Sequence, residues 1–279
     1  MADTWFTEKH TPHAGITLAV GGRLFDQKSQ YQHVEVLETL EYGRMLLLDG
    51  CVMVTDRDEY VYHEMISHPA LLAHPKPEQV LIIGGGDGGS VREVLRHKVV
   101  KAVHLVEIDQ MVIDASRQFF PALTKDLDNP RVSVLVKDGF DHLDNHQGAY
   151  DVILVDSMDP VGEAAKLFTT PFFEKVKRAL KPGGIAVFQS ESPFYHAEIL
   201  RDLMASLRKS FKHVAPYLAN IPTYPSGMWS FTFTSDAVDP RTCPLRNEPA
   251  LADGLKYFHP DLFRAAFVTP NYLRKVTPK

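Results

Sequence analysis

The apolar run VLIIG (80–84) passes straight into Gly84-Gly85-Gly86-Asp87-Gly88-Gly89, which satisfies the spacing G-x-G-x-x-G. Glycines at this spacing permit a tight turn and let a ligand approach backbone N–H groups at a helix start, here expected near Ser90. Dinucleotide and adenosylmethionine sites both use it, so the neighbouring acids must decide. Glu107 ends the next apolar run about 20 residues on, where a carboxylate grips a ribose diol. Asp109 suits the N-cap of the following helix better than Glu107 does. After the third run come Asp138 and Gly139, a carboxylate and an adjacent amide that can meet an adenine edge or simply start a helix. The fourth run ends in Asp156-Ser157-Met158-Asp159-Pro160, two carboxylates just past a strand's carboxyl end, where open α/β sheets bind ligands. A cap and a turn-forming Pro160 account for one of these acids and leave the other, beside the Asp87 loop, unexplained.

Elements of two kinds must position these groups. Residues 16–55 read as antiparallel strands, with Gly21-Gly22 and Asp49-Gly50 as two-residue hairpin turns. From Asp58 to His74 the pattern is helical, with Tyr62, Met65, Ile66, Pro69 and Ala70 on one side, and Pro75 and Pro77 close it. Beyond residue 78, short apolar runs at 80–84, 102–108, 132–136, 151–156 and 185–189 alternate with helical stretches at 89–98, 110–120, 170–180 and 196–211. That alternation predicts an α/β fold with five parallel strands covered on both faces. Lys181-Pro182-Gly183-Gly184 stops one helix, and the runs HVAPYLANI and MWSFTFTS around residues 223–227 predict a closing antiparallel pair. The expected domains are an N-terminal β domain (1–57), a connecting helix and linker (58–77) and a Rossmann-like domain (78–279).

Composition removes several functions. With 44% hydrophobic and 23% charged residues among 279, the chain is ordinary globular material, long for one domain and short for two. A net charge of -5 offers no basic field, so no nucleic-acid partner is expected. Cys51 and Cys243 lie in no metal-ligand spacing and are expected as thiols. The start of the chain lacks a basic region followed by an apolar stretch, and no run reaches about 18 apolar residues, so a cytoplasmic protein without membrane contact is expected. His63 and His68 are five apart, unlike the histidines of H-E-x-x-H, and most of the remaining histidines are expected to be solvated surface groups, so no metal is predicted. The aromatics of 217–233 are read as sheet core, with Tyr224 excepted because it lies in a turn.

Taken together, GGGDGG (84–89), DEYVYHEM (58–65), VEID (106–109), DG (138–139), DSMDP (156–160), LF (167–168) and PTYPSG (222–227) resemble the spermidine synthase family. The likeness runs from about Trp5 to Val276, and WFTEK and GMWSFTFTS look most like the branch found in bacilli. The resemblance implies a class I methyltransferase-like domain behind a small N-terminal antiparallel β domain, assembled as homodimers or homotetramers. The implied reaction moves an aminopropyl group from decarboxylated S-adenosylmethionine, a co-substrate, to putrescine, with no resident cofactor. Asp156 is implied as proton acceptor, with Tyr62 and Tyr224 holding the attacking amine and Asp159 binding it. Asp87 would hold the aminopropyl amine, Glu107 the ribose hydroxyls, Gln32 the ribose or methylthio side, and Asp138 with Gly139 the adenine, above the turn Gly84-Gly85-Gly86. Trp5, Glu8, His63, Gln189 and Glu191 would line the putrescine channel beside Ser157 and Met158, under a gate at 157–168. Met158 stands where the family usually has Ser, Thr or Cys, and Glu163 where Pro is common.

Electrostatics agrees with that cargo, because the donor carries a sulfonium and an ammonium and the acceptor two ammonium groups. Ordinary S-adenosylmethionine keeps a carboxylate, which at ~4 Å from Asp87 is disfavoured by roughly 4 kcal/mol at an effective dielectric of about 20. Transfer needs a neutral amine, and an ammonium of pKa ~10.4 is only about 0.04% neutral at pH ~7, a shortfall of roughly 4.6 kcal/mol. Asp156 is the expected base, its carboxyl raised by crowding from Asp159 while the sulfonium lowers the amine. A small-molecule methyltransferase shares the strand pattern but not the need for Asp87 and the Asp156/Asp159 pair. A dehydrogenase lacks a hydride-handling constellation, and a polyamine-binding scaffold would not need every acid.

Overall fold

Alternating apolar residues over the first part of the chain build an antiparallel meander in chain order from β1 (Thr4–Thr11), β2 (Ala14–Lys28), β3 (His33–Thr39), β4 (Gly43–Leu48) and β5 (Cys51–Thr55). The structure is a computed structural model that describes residues 4–158, 162–246, 251 and 254–276. At Asp49-Gly50 both φ angles are positive, 49° and 81°, as a two-residue turn matched to strand twist requires, and the predicted hairpin of β4 and β5 forms there. The hairpin predicted at Gly21-Gly22 does not form. β2 runs through that pair, with register shifts between Val20 and Gly22 and between Arg23 and Phe25, and hydrogen-bonds β1 along its first half and β3 along its second. Glycines inside a strand mark a bulge as readily as a turn, and the reversal sits instead at Pro12-His13.

Helix α1 (Glu59–Ala73) follows, and its predicted one-sided burial is not what is found: every residue from Val61 to Ala73 is buried. Pro69 lies inside it and has no N–H to offer the Met65 carbonyl; the Tyr217 hydroxyl donates to that carbonyl instead, at 2.7 Å. Buried Glu64 accepts the backbone N–H groups of Lys256, Tyr257 and Phe258 at 2.8, 2.9 and 2.7 Å, which ties the C-terminal segment to α1.

A seven-stranded sheet is then made from β6 (Gln79–Gly84), β7 (Ala102–Glu107), β8 (Val132–Val136), β9 (Tyr150–Asp156), β10 (Leu180–Gln189), β11 (His213–Asn220) and β12 (Met228–Ser235). Its order is β11-β12-β10-β9-β6-β7-β8, parallel from β8 to β10, with β12 antiparallel to both neighbours. The five predicted parallel strands and the closing antiparallel pair are all present. Helices α2 (Gly89–Leu95), α3 (Gln110–Phe119), α4 (Pro121–Thr124), α5 (Gly139–His142), α6 (Thr170–Ala179) and α7 (Ala197–Ser210) connect the strands.

Strand alternation distributes the core. Val80 and Ile82 enter one apolar cluster with α1, while Leu81 and Ile83 enter another on the opposite face. A third cluster, including Val34, Val36, Leu46, Val112 and Phe120, binds the N-terminal sheet to α3 and the turn that follows it. This packing sets the small sheet as one wall of a crevice at the carboxyl ends of β6 and β9, where strand order reverses. Among the described residues no helix is long and apolar enough to cross a membrane.

Candidate active site

The crevice begins at the glycine turn. Gly84 has φ 82° and lies so close to β9 that an added Cβ would sit 2.1 Å from the Asp156 carbonyl oxygen. Gly89 carries no Cβ either, and one would lie 2.2 Å from the His63 ring. These approaches bring three elements to one point: the turn with Asp87, α1 with Tyr62 and His63, and the end of β9 with Asp156. Buried His63 bridges two carboxylates, with Nδ1 at 2.7 Å from Glu59 and Nε2 at 3.0 Å from Asp87. Burial alone would lower the imidazole, but Asp87 and Glu59 overcome it and push His63 up to about 10. Burial works to raise Asp87, and the adjoining imidazolium together with the Gly89 N–H, at 2.7 Å, holds that carboxyl below its ordinary value.

Asp156 is shifted the other way. The Tyr62 hydroxyl donates to Oδ1 at 2.7 Å and the Ser90 hydroxyl to Oδ2 at 2.6 Å. Both bonds favour the carboxylate, yet burial first and the nearby charge of Asp87 second raise Asp156 above the usual range. The crowding expected from Asp159 falls on a residue outside the described ones; among the described residues Asp87 is the like charge beside Asp156. Burial and the Asp156 charge push the Tyr62 phenol well above 10, so it stays a neutral donor. Two acids in one cavity thus have opposite protonation preferences, a standard arrangement for assigning one to charge binding and one to proton transfer.

At the opposite wall, Glu107 Oε2 accepts from the Gly86 N–H at 3.2 Å and Oε1 from the Asp109 N–H at 2.9 Å. Burial nevertheless pushes its carboxyl up to about 7. Asp109 caps α3 by accepting from the Met111 N–H and also takes the Gln32 amide at 2.9 Å, so the N-terminal sheet holds Gln32 against the cavity. Asp138 caps α5 through the Phe140 N–H at 2.8 Å and leaves its other oxygen to Lys166. Gly139 must be small, because a Cβ there would be 2.4 Å from Ile83.

Glu8 reaches the cavity from β1, its Oε2 accepting the Val52 N–H at 2.9 Å, and burial pushes it up to about 7. Tyr224 sets its ring 5.8 Å from that of Tyr62, tilted by 50°, but gives its hydroxyl to the Met53 carbonyl at 2.6 Å rather than to Asp156. Gln189 donates to the Met158 carbonyl at 3.2 Å, and Ser157 and Met158 line the same space. Two of the expected channel residues are not there. Trp5 is 57% exposed, because strand alternation points Phe6 and Glu8 inward and turns Trp5 outward. Glu191 follows Gln189 by two residues, but its φ of 69° breaks the strand, and its buried carboxylate pairs with His196 at 2.9 Å. The Glu163 side chain, like Asp159, lies outside the described part.

Several contributors escaped the sequence. Ser90 sits where a helix was expected to start, with nothing local to reveal its bond to Asp156. Trp229 was assigned to sheet core and does pack there, yet it also lines the cavity. Asp58 accepts from the Thr223 N–H and hydroxyl at 3.0 and 2.7 Å, placing the turn that carries Tyr224. Of the histidines expected to be mostly solvated, His74, His97 and His142 are buried instead, and His104 and His146 gather with His142 around Tyr150.

A family model described as "Spermine/spermidine synthase domain" matches residues 59–243, and one described as "Spermidine synthase tetramerisation domain" matches residues 4–56. The chain belongs to the spermine/spermidine synthase family. The polyamine aminopropyltransferase of Bacillus subtilis (strain 168) is 44% identical over 273 residues, covering 98% of each chain. That of Thermoanaerobacter sp. (strain X514) is 41% identical over 274 residues, again 98% of each. The crystal structure of spermidine synthase from Thermotoga maritima superposes with a TM-score of 0.94 at 34% identity, covering 99% of this chain and 94% of that one. A spermidine synthase in complex with the transition state analogue AdoDATO gives 0.96 at 34% identity, covering 99% and 95%. As a member of this family the protein is an enzyme, a transferase of the polyamine aminopropyl class.

Proposed function

We propose that the enzyme transfers the aminopropyl group of decarboxylated S-adenosylmethionine to putrescine, giving spermidine and 5′-methylthioadenosine. The observation that carries this reading is the opposite shift of Asp87 and Asp156 within one cavity. An ionised Asp87 suits the donor's ammonium and disfavours a carboxylated donor. A raised Asp156 is the better proton acceptor for an ammonium that must become neutral before it attacks. The amine nitrogen forms a bond to the carbon next to the sulfonium, and the carbon–sulfur bond breaks with its electrons going to sulfur. The ammonium proton passes to Asp156, with Tyr62 orienting that carboxylate.

The remaining roles follow position. Glu107 takes the ribose hydroxyls, Gln32 flanks the ribose or methylthio side, and Asp138 with Gly139 meets the adenine. Glu8, His63, Gln189, Ser157, Met158 and Tyr224 bound the acceptor end, where Asp159 is assigned to the attacking amine. The transfer needs no resident cofactor, since the donor is a co-substrate. Assembly as a homodimer or homotetramer belongs to the same proposal and is supported by the match of residues 4–56 to a tetramerisation domain. Action in the cytoplasm does too, in keeping with Cys51 and Cys243 standing as thiols.

Incubation with putrescine and either the decarboxylated or the carboxylated donor, read by mass spectrometry, tests the reading. Spermidine and methylthioadenosine are expected from the decarboxylated donor alone. Methyl transfer without aminopropyl transfer would overturn it, and donor binding without product would favour a scaffold. Asp156→Asn is expected to lower turnover at least ~100-fold while donor binding survives.

A further inference from the structure

We propose that His104, His142 and His146, held by Tyr150, form a site for a borderline divalent transition-metal ion of the Zn2+ class, separate from the transfer cavity. One ring nitrogen from each histidine lies within 4.8 Å of the others. The elements supply them from three directions. His104 is on β7, on the sheet face shared with Val106. His142 closes α5, and His146 follows four residues later, with the two rings stacked 4.0 Å apart. Tyr150 begins β9 and is buried beneath them.

Each ring has one nitrogen engaged by the protein. His146 Nδ1 donates to the His142 carbonyl at 2.7 Å, which leaves Nε2 as its lone-pair nitrogen. His142 Nε2 and His104 Nδ1 lie 2.8 and 2.9 Å from the Tyr150 hydroxyl oxygen. With its two lone pairs the Tyr150 oxygen can accept a ring N–H from each of them, and in that tautomer it does for these imidazoles what a carboxylate or carbonyl does for metal-bound histidine, holding the ring planes and leaving the other nitrogens as lone pairs. The second nitrogen of His142 is the independent observation. The residue is 1% exposed, and its Nδ1 is buried with no hydrogen-bond partner. A buried imidazole nitrogen without a partner is an uncompensated loss of solvation, and a metal ion replaces what was lost.

Three imidazoles without a carboxylate select Zn2+, Cu2+ or Ni2+ over the oxygen-seeking Mg2+ and Ca2+. Nitrogens around a tetrahedral ion at ~2.0–2.1 Å stand about 3.3 Å apart. Closure therefore requires the His142 and His146 rings to unstack, a movement that falls on half-exposed His146 and His104 rather than on buried His142. Lys137 is a like charge toward His104 and His142, which weakens the hold on a cation. A bound ion would join β7, α5 and β9, whose ends carry Glu107, Asp138 and Asp156.

The test is calorimetric titration of the chelator-treated, full-length protein with Zn2+, alongside thermal melting. One ion per chain is expected, with a raised melting temperature. His146→Ala and His104→Gln should each weaken binding about tenfold or more, while His33→Ala, which breaks the second cluster, Asp26-His33-Glu35, and saturation with methylthioadenosine should leave it unchanged. Absence of saturable binding up to millimolar Zn2+ would overturn the proposal. So would binding that survives the His104→Gln/His146→Ala double variant with an intact melt, that is lost in His33→Ala, or that the nucleoside displaces.

Discussion

Raising the pH from about 6 to about 8 should tighten binding of 5′-methylthioadenosine roughly tenfold through Glu107 alone. The carboxyl is pushed up to about 7 by burial, and its two oxygens each accept one backbone N–H, from Gly86 and Asp109. Each oxygen keeps a second acceptor site, enough for the two hydroxyls of a ribose diol. Those hydroxyls donate best to the ionised form, so the carboxylate is the binding-competent state and occupancy lowers the group's pKa. With a midpoint of about 7, about a tenth of Glu107 is ionised at pH ~6 and about nine-tenths at pH ~8, which sets the tenfold ratio. Affinity should level off above that range. Calorimetry at matched ionic strength reads the slope, and Glu107→Gln should both flatten it and weaken binding by about 1.5–3 kcal/mol at high pH. Glu8 is also pushed up to about 7 but hangs from β1 against the Val52 N–H, at the end proposed for the acceptor, so Glu8→Gln should keep the slope. A flat wild-type profile, or an equally steep one in Glu107→Gln, would refute the assignment.

Three further expectations concern the groups around the reacting centre and the fold behind it. Ser90→Ala removes a donor that favours the Asp156 carboxylate, so the acid limb of kcat should move to higher pH, by about one unit for a bond worth ~1.4 kcal/mol. His63 is raised from an ordinary 6.5 to about 10, so its stabilisation is complete below 6.5 and lost as pH rises through about 10. Denaturant titrations of wild type and His63→Gln should therefore differ by about 3–5 kcal/mol at neutral pH and converge in the alkaline range. Tyr217→Phe strips the donor from the Met65 carbonyl opposite Pro69 and should cost about 1–3 kcal/mol in urea unfolding, with little change in KM.

Strand and helix succession was legible because its causes are local. Apolar runs punctuated by glycine and proline predict the five parallel strands and the final antiparallel pair, and the acids at the strand tips were identifiable because a strand's carboxyl end faces the crevice. The same local reasoning failed where two outcomes share one signal. Gly21-Gly22 serves a bulge as well as a turn, and only pairing of β2 with both neighbours decides between them. The enclosed α1 reads as a one-sided helix because periodicity does not report what packs on its other face.

By itself, then, the sequence determined which acids stand at which strand ends, since side-chain identity and strand position are properties of neighbouring residues. Tertiary structure alone decided their protonation. Burial and through-space charge come from residues far along the chain: His63 on α1, itself kept charged by Glu59 and Asp87, holds Asp87 down, and burial together with the Asp87 charge pushes Asp156 up. It also decided which expected channel residues arrive, because Trp5 is turned away by strand alternation and Glu191 by a single positive φ.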